Sequence, residues 1–148
     1  MKMWKCVLAM ATAISFVPMA GAANETRSLY DRLGGKPAIQ AVAIDLVDRI
    51  LADPRVNGWF THAASSKENT NAYKTNLADF LCRSTGGPCE YTGPDMVAAH
   101  KGRGVTNEAF NAVAEDLVAT LNKFKVPERE KTEVMKLVSG LKPTIVQK

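Results

Sequence analysis

The chain has 148 residues, 46% hydrophobic, 23% charged and 7% aromatic, with a mean hydropathy of −0.12. That suffices for one globular domain with a real core, is too little for two, and fits neither a disordered nor a fibrous chain. The formal net charge of +4 is mild, and no basic cluster of five or more occurs, so no nucleic-acid partner is expected.

Residues 1–22 begin with Lys2 and Lys5, continue as an uncharged apolar run from Cys6 to Met19, and close on Ala20-Gly21-Ala22. This order is that of an export signal with its small-residue cleavage site. The run is shorter than the roughly 18–20 apolar residues a membrane anchor needs, although an uncleaved anchor is the alternative. The expected mature domain is 23–148, exported and placed in a bacterial periplasm. It keeps 17 basic and 15 acidic side chains, a balance of +2. No second stretch is long enough to span a membrane, so no stable insertion is expected after cleavage.

The mature chain reads as helix throughout. Ser28-Leu29-Tyr30-Asp31 opens a short helix that Gly34-Gly35 stops. Pro37 suits the first position of a second helix, whose apolar stripe runs Ile39, Val42, Ala43, Leu46, Val47, Ile50, Leu51 to a stop at Asp53-Pro54. His62 lies in a polar loop between this helix and the next. Ser65-Ser66-Lys67-Glu68 is a capping box for a helix that carries Tyr73, Leu77, Phe80 and Leu81 and runs to about Cys82. Gly86 to Gly93 is loop, and Pro94 starts a short helix through His100 that Gly102-x-Gly104 ends. After Thr106 follow Phe110, Val113, Ala114, Leu117, Val118 and Leu121. Pro127 opens the last helix, with Val134, Leu137, Val138, Leu141 and Ile145 inward. The reading is all-α, with four longer helices, two short ones and no internal repeat.

In an exported chain the pair Cys82 and Cys89 reads as a disulfide, since Gly86-Gly87-Pro88 lets the chain fold back. Two free thiols are the alternative. Catalytic signatures are absent: no HExxH, no Cys-x-x-Cys-His and no P-loop occurs. Lys101-Gly102-Arg103-Gly104 lacks the preceding strand that a phosphate loop requires. The histidines are His62, expected at the surface, and His100, at the end of a short small-residue helix. By spacing alone His100 reads as a core or surface histidine rather than as a ligand.

Several motifs together resemble the group 1 truncated haemoglobins. They are Ser28 to Gly35, Leu51-Ala52-Asp53-Pro54, Trp59-Phe60, Gly86-Gly87-Pro88 with Tyr91-Thr92-Gly93, and Met96-x-x-x-His100-x-Gly102-x-Gly104-Val105-Thr106. The match covers 28–145, and Cys82-x-x-Thr-Gly-Gly-Pro-Cys89 resembles an exported bacterial subset. The resemblance implies a two-over-two helical sandwich around one non-covalent b-type haem, iron protoporphyrin IX. It makes His100 the proximal iron ligand, with the other ring nitrogen donating to a backbone carbonyl. Phe60 matches the aromatic stacked on the porphyrin, and Phe110 a second haem contact. Met96 matches a residue of the proximal face, and Arg103 a partner for a propionate. Leu77, Leu81 and Val105 complete the expected lining.

The distal side departs from the family. Val47 stands where a tyrosine is common, Leu77 where glutamine is frequent, and Asn76 where some members carry histidine or lysine. Tyr73 is then the expected distal hydroxyl, with Asn76 as an alternative amide donor. The function implied is reversible binding of diatomic gases. Alternatives are NO oxidation or nitrite reduction served by a separate reductase, electron transfer through a six-coordinate haem closed by Tyr73 or His62, and a haem-free helical interaction module.

Overall fold

The structure is a computed structural model that describes residues 26–148; the expected export signal at 1–22 lies outside them. The described residues form helices and no strands. In chain order these are α1 (Leu29–Arg32), α2 (Gly35–Ala52), a 3-10 turn (Asn57–Phe60), α3 (Thr61–Ala64), α4 (Lys67–Ser84), α5 (Met96–His100), α6 (Asn107–Lys123) and α7 (Glu128–Ile145).

Local chemistry sets most of the boundaries. Ser28 caps α1 by accepting from the Asp31 amide at 3.1 Å. Gly34 and Gly35 take φ of 103° and 70°, so the chain turns directly from α1 into α2. The helix therefore starts two residues before the expected Pro37, which sits in the first turn where its missing N–H is not needed. The cap of α4 is Ser66, which accepts from the Asn69 amide at 3.1 Å. Ser65, expected in that role, instead donates to the His62 carbonyl at 2.7 Å. α4 continues past Cys82 to Ser84, where the Thr85 hydroxyl donates to the Leu81 carbonyl at 2.8 Å. Asp95 caps α5 at the Ala98 amide, so that helix begins at Met96 and not at Pro94.

The segment expected as loop holds the 3-10 turn and α3, which makes three short helices rather than two. Four-residue elements are too short to show an apolar period, and in α3 only Ala63 is buried. His62 lies on α3, exposed as expected.

α2 packs on α4 and on α6, and α6 packs on α7, which gives two layered helix pairs; α5 rests against α7. The stripe of α2 forms the centre, with Ile39, Val42, Ala43, Leu46, Val47 and Ile50 all buried. Full burial of each larger member contributes about 1.5–3 kcal/mol. α6 adds Phe110, Leu117 and Leu121. Leu137, expected inward, is 42% exposed. The inward line of α7 runs through Glu130, Val134, Val138 and Ile145, mostly in four-residue steps that leave Leu137 at its edge.

Polar ties join the helices. Arg32 reaches Glu130 at 2.6 Å and also pairs with Glu133, binding α1 to α7. Asp45 of α2 accepts from Lys123 and Thr120 of α6. Cys82 and Cys89 form a disulfide with a Cα–Cα distance of 5.8 Å, so the free-thiol alternative does not hold. Beside it, a Cβ on Gly87 would lie 2.5 Å from the Tyr30 ring and 2.6 Å from the Cys82 sulfur, too close for any side chain. No helix of the described residues is long and apolar enough to cross a membrane.

Candidate functional site

α5 has only five residues, and His100 is its last. The half-buried imidazole places Nδ1 2.8 Å from the Met96 carbonyl oxygen one turn back. A carbonyl only accepts, so Nδ1 carries the proton in this contact, and in the neutral ring the lone pair then lies on Nε2. The carbonyl partner expected for the ring is thus supplied by Met96.

The loop after His100 turns through Gly102 and Gly104, with φ of 75° and 63°. It is fastened from outside. The Trp59 indole N–H donates to the Arg103 carbonyl at 3.1 Å. The Gln147 side chain donates to the His100 carbonyl at 2.6 Å and accepts from the Gly104 amide at 2.9 Å. Sequence reasoning assigned no such role to Trp59 or Gln147. The aromatic pair Trp59-Phe60 was a usable signal for the first, but Gln147 is a lone amide after the last helix.

A second wall comes from α4 and the 3-10 turn. The rings of Phe60 and Tyr73 lie 5.6 Å apart between centroids, inclined at 49°. Burial pushes the Tyr73 phenol up to about 12; the Arg103 guanidinium offsets part of this, and Tyr91 adds to it. At neutral pH Tyr73 therefore keeps its proton and remains a donor. The electrostatic reach between Tyr73 and Arg103 also brings the α4 wall and the loop after His100 into one neighbourhood. Tyr91 packs edge-on against Phe80 at 5.4 Å and donates to the Pro94 carbonyl at 2.8 Å.

The remaining expected residues divide. Val105 and Phe110 are buried, and the Lys142 ammonium stands 5.5 Å from the Phe110 ring centroid. Met96 and Leu77 are half-buried, while Arg103 is exposed. Leu81 is buried and lines an apolar cavity of about 150 Å³ with Leu33, Ile39, Val42, Leu117 and Leu121, among others. No other expected site residue lines it. Val47 is fully buried, and Asn76 is exposed. Among the described residues, no three His, Cys, Asp or Glu side chains come together as a metal cluster.

Residues 28–147 match the family model described as bacterial-like globin. The chain is 36% identical over 121 residues to the group 1 truncated hemoglobin GlbN of Mycolicibacterium paratuberculosis, covering 82% of this chain and 85% of that one. It superposes on the crystal structure of truncated hemoglobin from Tetrahymena pyriformis in its Fe(III) form with a TM-score of 0.73 and 30% identity. That superposition covers 82% of this chain and all of the other. A 2/2 hemoglobin from Synechococcus, solved with covalently attached heme, aligns with a TM-score of 0.66 and 32% identity over 76% of this chain and 91% of that one. With its all-helical two-layer fold, the chain belongs to the bacterial-like globins and, among them, to the group 1 truncated haemoglobins.

Proposed function

We propose that this globin binds diatomic gases reversibly, with His100 Nε2 as the one protein ligand to the iron of a non-covalent b-type haem. The observation that carries this reading is the 2.8 Å contact of His100 Nδ1 with the Met96 carbonyl, which leaves Nε2 free to donate its lone pair. The donor set fits the group. A single imidazole with Nδ1 held by a backbone carbonyl is the donor that would hold the iron of a haem, whose macrocycle would supply the other nitrogens. When bound, such a haem offers one open axial position for O2, NO or CO.

The chain's own residues then have distinct tasks. Phe60 provides a flat apolar surface. Tyr73 holds a phenolic proton close to that ring and donates it toward a gas ligand. Exposed Arg103 pairs with a propionate at the rim, and Met96, Leu77, Val105 and Phe110 keep water from the remaining faces. Leu81 serves the internal cavity that it lines. For NO oxidation or nitrite reduction, electrons come from a separate reductase.

Purified protein reconstituted with haem is expected to give a five-coordinate ferrous spectrum that shifts on adding CO. His100→Gly is expected to lose that spectrum and regain it with added imidazole. A wild-type chain with no Soret band, or a His100→Gly variant with the wild-type spectrum, overturns the assignment. Acid–butanone extraction is expected to remove all the haem, as non-covalent binding requires. We also propose export to the periplasm with removal of residues 1–22, supported by the basic, apolar and small-residue order of that segment. An N-terminus at Ala23 in the periplasmic fraction is the expected result, and an intact Met1 in the cytoplasm overturns it.

A further inference from the structure

We infer that Gln147 is a positioning residue for His100, its carboxamide spanning the loop after the histidine and so fixing the direction of the imidazole. The inference rests on the reading of His100 as the iron ligand. Gln147 Nε2 donates to the His100 carbonyl at 2.6 Å, and Gln147 Oε1 accepts from the Gly104 amide at 2.9 Å. The two ends of one planar group thus hold the two ends of the loop.

The need for such a brace follows from the length of α5. Isolated helices shorter than about 12–15 residues are marginal in water, and α5 has five. Asp95 fixes its start through the Ala98 amide. Its end runs into two glycines at positive φ, where the local backbone contributes the Lys101 amide donating to the Val97 carbonyl at 2.9 Å and the Arg103 amide donating to the His100 carbonyl at 3.1 Å. The imidazole is tied to the same short helix through Met96, so any swing of the helix end swings the ring. Gln147 supplies the second hydrogen bond to the His100 carbonyl from a different part of the chain. Its backbone N–H donates separately to the Val105 carbonyl at 2.8 Å, so a side-chain substitution leaves the tail docked.

The two halves of the brace are separable. Gln147→Ala removes both, whereas Gln147→Glu keeps an acceptor for the Gly104 amide but has no donor for the His100 carbonyl. The full chain is loaded with haem and reduced without gas, and the iron–histidine stretch is read by resonance Raman. Haem loss to excess apomyoglobin is timed, and amide exchange at Gly104 is followed in the haem-free chain. In Gln147→Ala the stretch is expected to fall and broaden, haem loss to quicken about tenfold, and Gly104 to exchange faster. In Gln147→Glu the stretch is expected to shift while Gly104 stays protected. An unchanged stretch and haem-loss rate in both variants overturns the role of Gln147 alone. A wild-type chain with no iron–histidine band overturns the assignment of His100 and this role with it.

Discussion

Phe60 and Tyr73 meet ring to ring across the junction of the 3-10 turn and α4, with centroids 5.6 Å apart. The contact holds the phenol in a desolvated place, where it stays protonated to about 12. Tyr73→Phe keeps the ring and deletes the donor. Hydrogen bonds to charged or strongly polarised acceptors contribute about 1.5–3 kcal/mol, so O2 dissociation is expected to accelerate by roughly 10- to 100-fold while CO dissociation changes little. Stopped-flow replacement of O2 by CO reads this directly, and an unchanged O2 rate removes Tyr73 from the site.

Asp45 contributes to stability in acid, alongside Asp53 and Glu133, whose carboxyls are also held below their ordinary range by arginine partners. Burial pushes the Asp45 carboxyl up, but hydrogen bonds from Lys123, Arg49 and Thr120 outweigh that and hold it at about 2. A carboxylate depressed in the folded state stabilises fully above its unfolded value near 4, and that contribution fades as pH falls toward about 2. The loss across this window is expected to be on the order of 1–2 kcal/mol, because Lys123 is more than half exposed and screened. Urea midpoints at pH 6 and pH 2.5 test the window. Thr120→Val removes one donor and should raise the Asp45 titration seen by NMR.

The disulfide closes a short loop between the end of α4 and the segment leading to α5. In the chain-entropy model such a link contributes roughly 2–3 kcal/mol by restricting the unfolded chain. Replacing Cys82 and Cys89 together by serine is expected to lower unfolding free energy by about that amount, plus a smaller loss from placing a hydroxyl at buried Cys82. Guanidinium melts of oxidised protein and of the double variant measure the difference.

Arg32 and Glu130 are each only 7% exposed at the side chain. Arg32→Met leaves Glu130 buried without its cation and is expected to lower the melting temperature by roughly 10–20 °C. Adding Glu130→Leu removes the stranded carboxylate and should recover most of the loss. If the double variant melts no higher than the single one, the pair holds α1 by more than its charges.

The parts legible in the sequence are those fixed by near neighbours. The stripe from Ile39 to Leu51 is spaced for one helix face, and every member is buried except Leu51 at its end, which is half-buried. Ser28 and Thr106 show the oxygen-bearing side chain just before a helix that caps require, whereas Asp95 was masked by Pro94 beside it. The cysteine pair is seven residues apart around two glycines and a proline. α3 was hidden because four residues cannot display a period. Leu137 was misplaced because a single apolar residue at the edge of a stripe looks like its centre. The brace on His100 was illegible for another reason: Gln147 lies 47 residues from His100 and 43 from Gly104. No local pattern encodes a hydrogen bond that forms only after the tertiary fold has brought its partners together.

The link between Arg32 and α7 also carries a consequence for how the molecule comes into being. Glu130 lies 98 residues after Arg32, and Glu133 lies 101 after it. At about 5–20 residues per second on the ribosome, the arginine waits roughly 5–20 s for its carboxylates to be made. Throughout that interval α1 is held by its own four-residue helix, by the contacts of Leu29, and by the Tyr30 amide, which donates to the Thr85 carbonyl at 2.9 Å. The pairing of Arg32 with α7 is therefore a hold on α1 that cannot form until nearly the whole chain has been made.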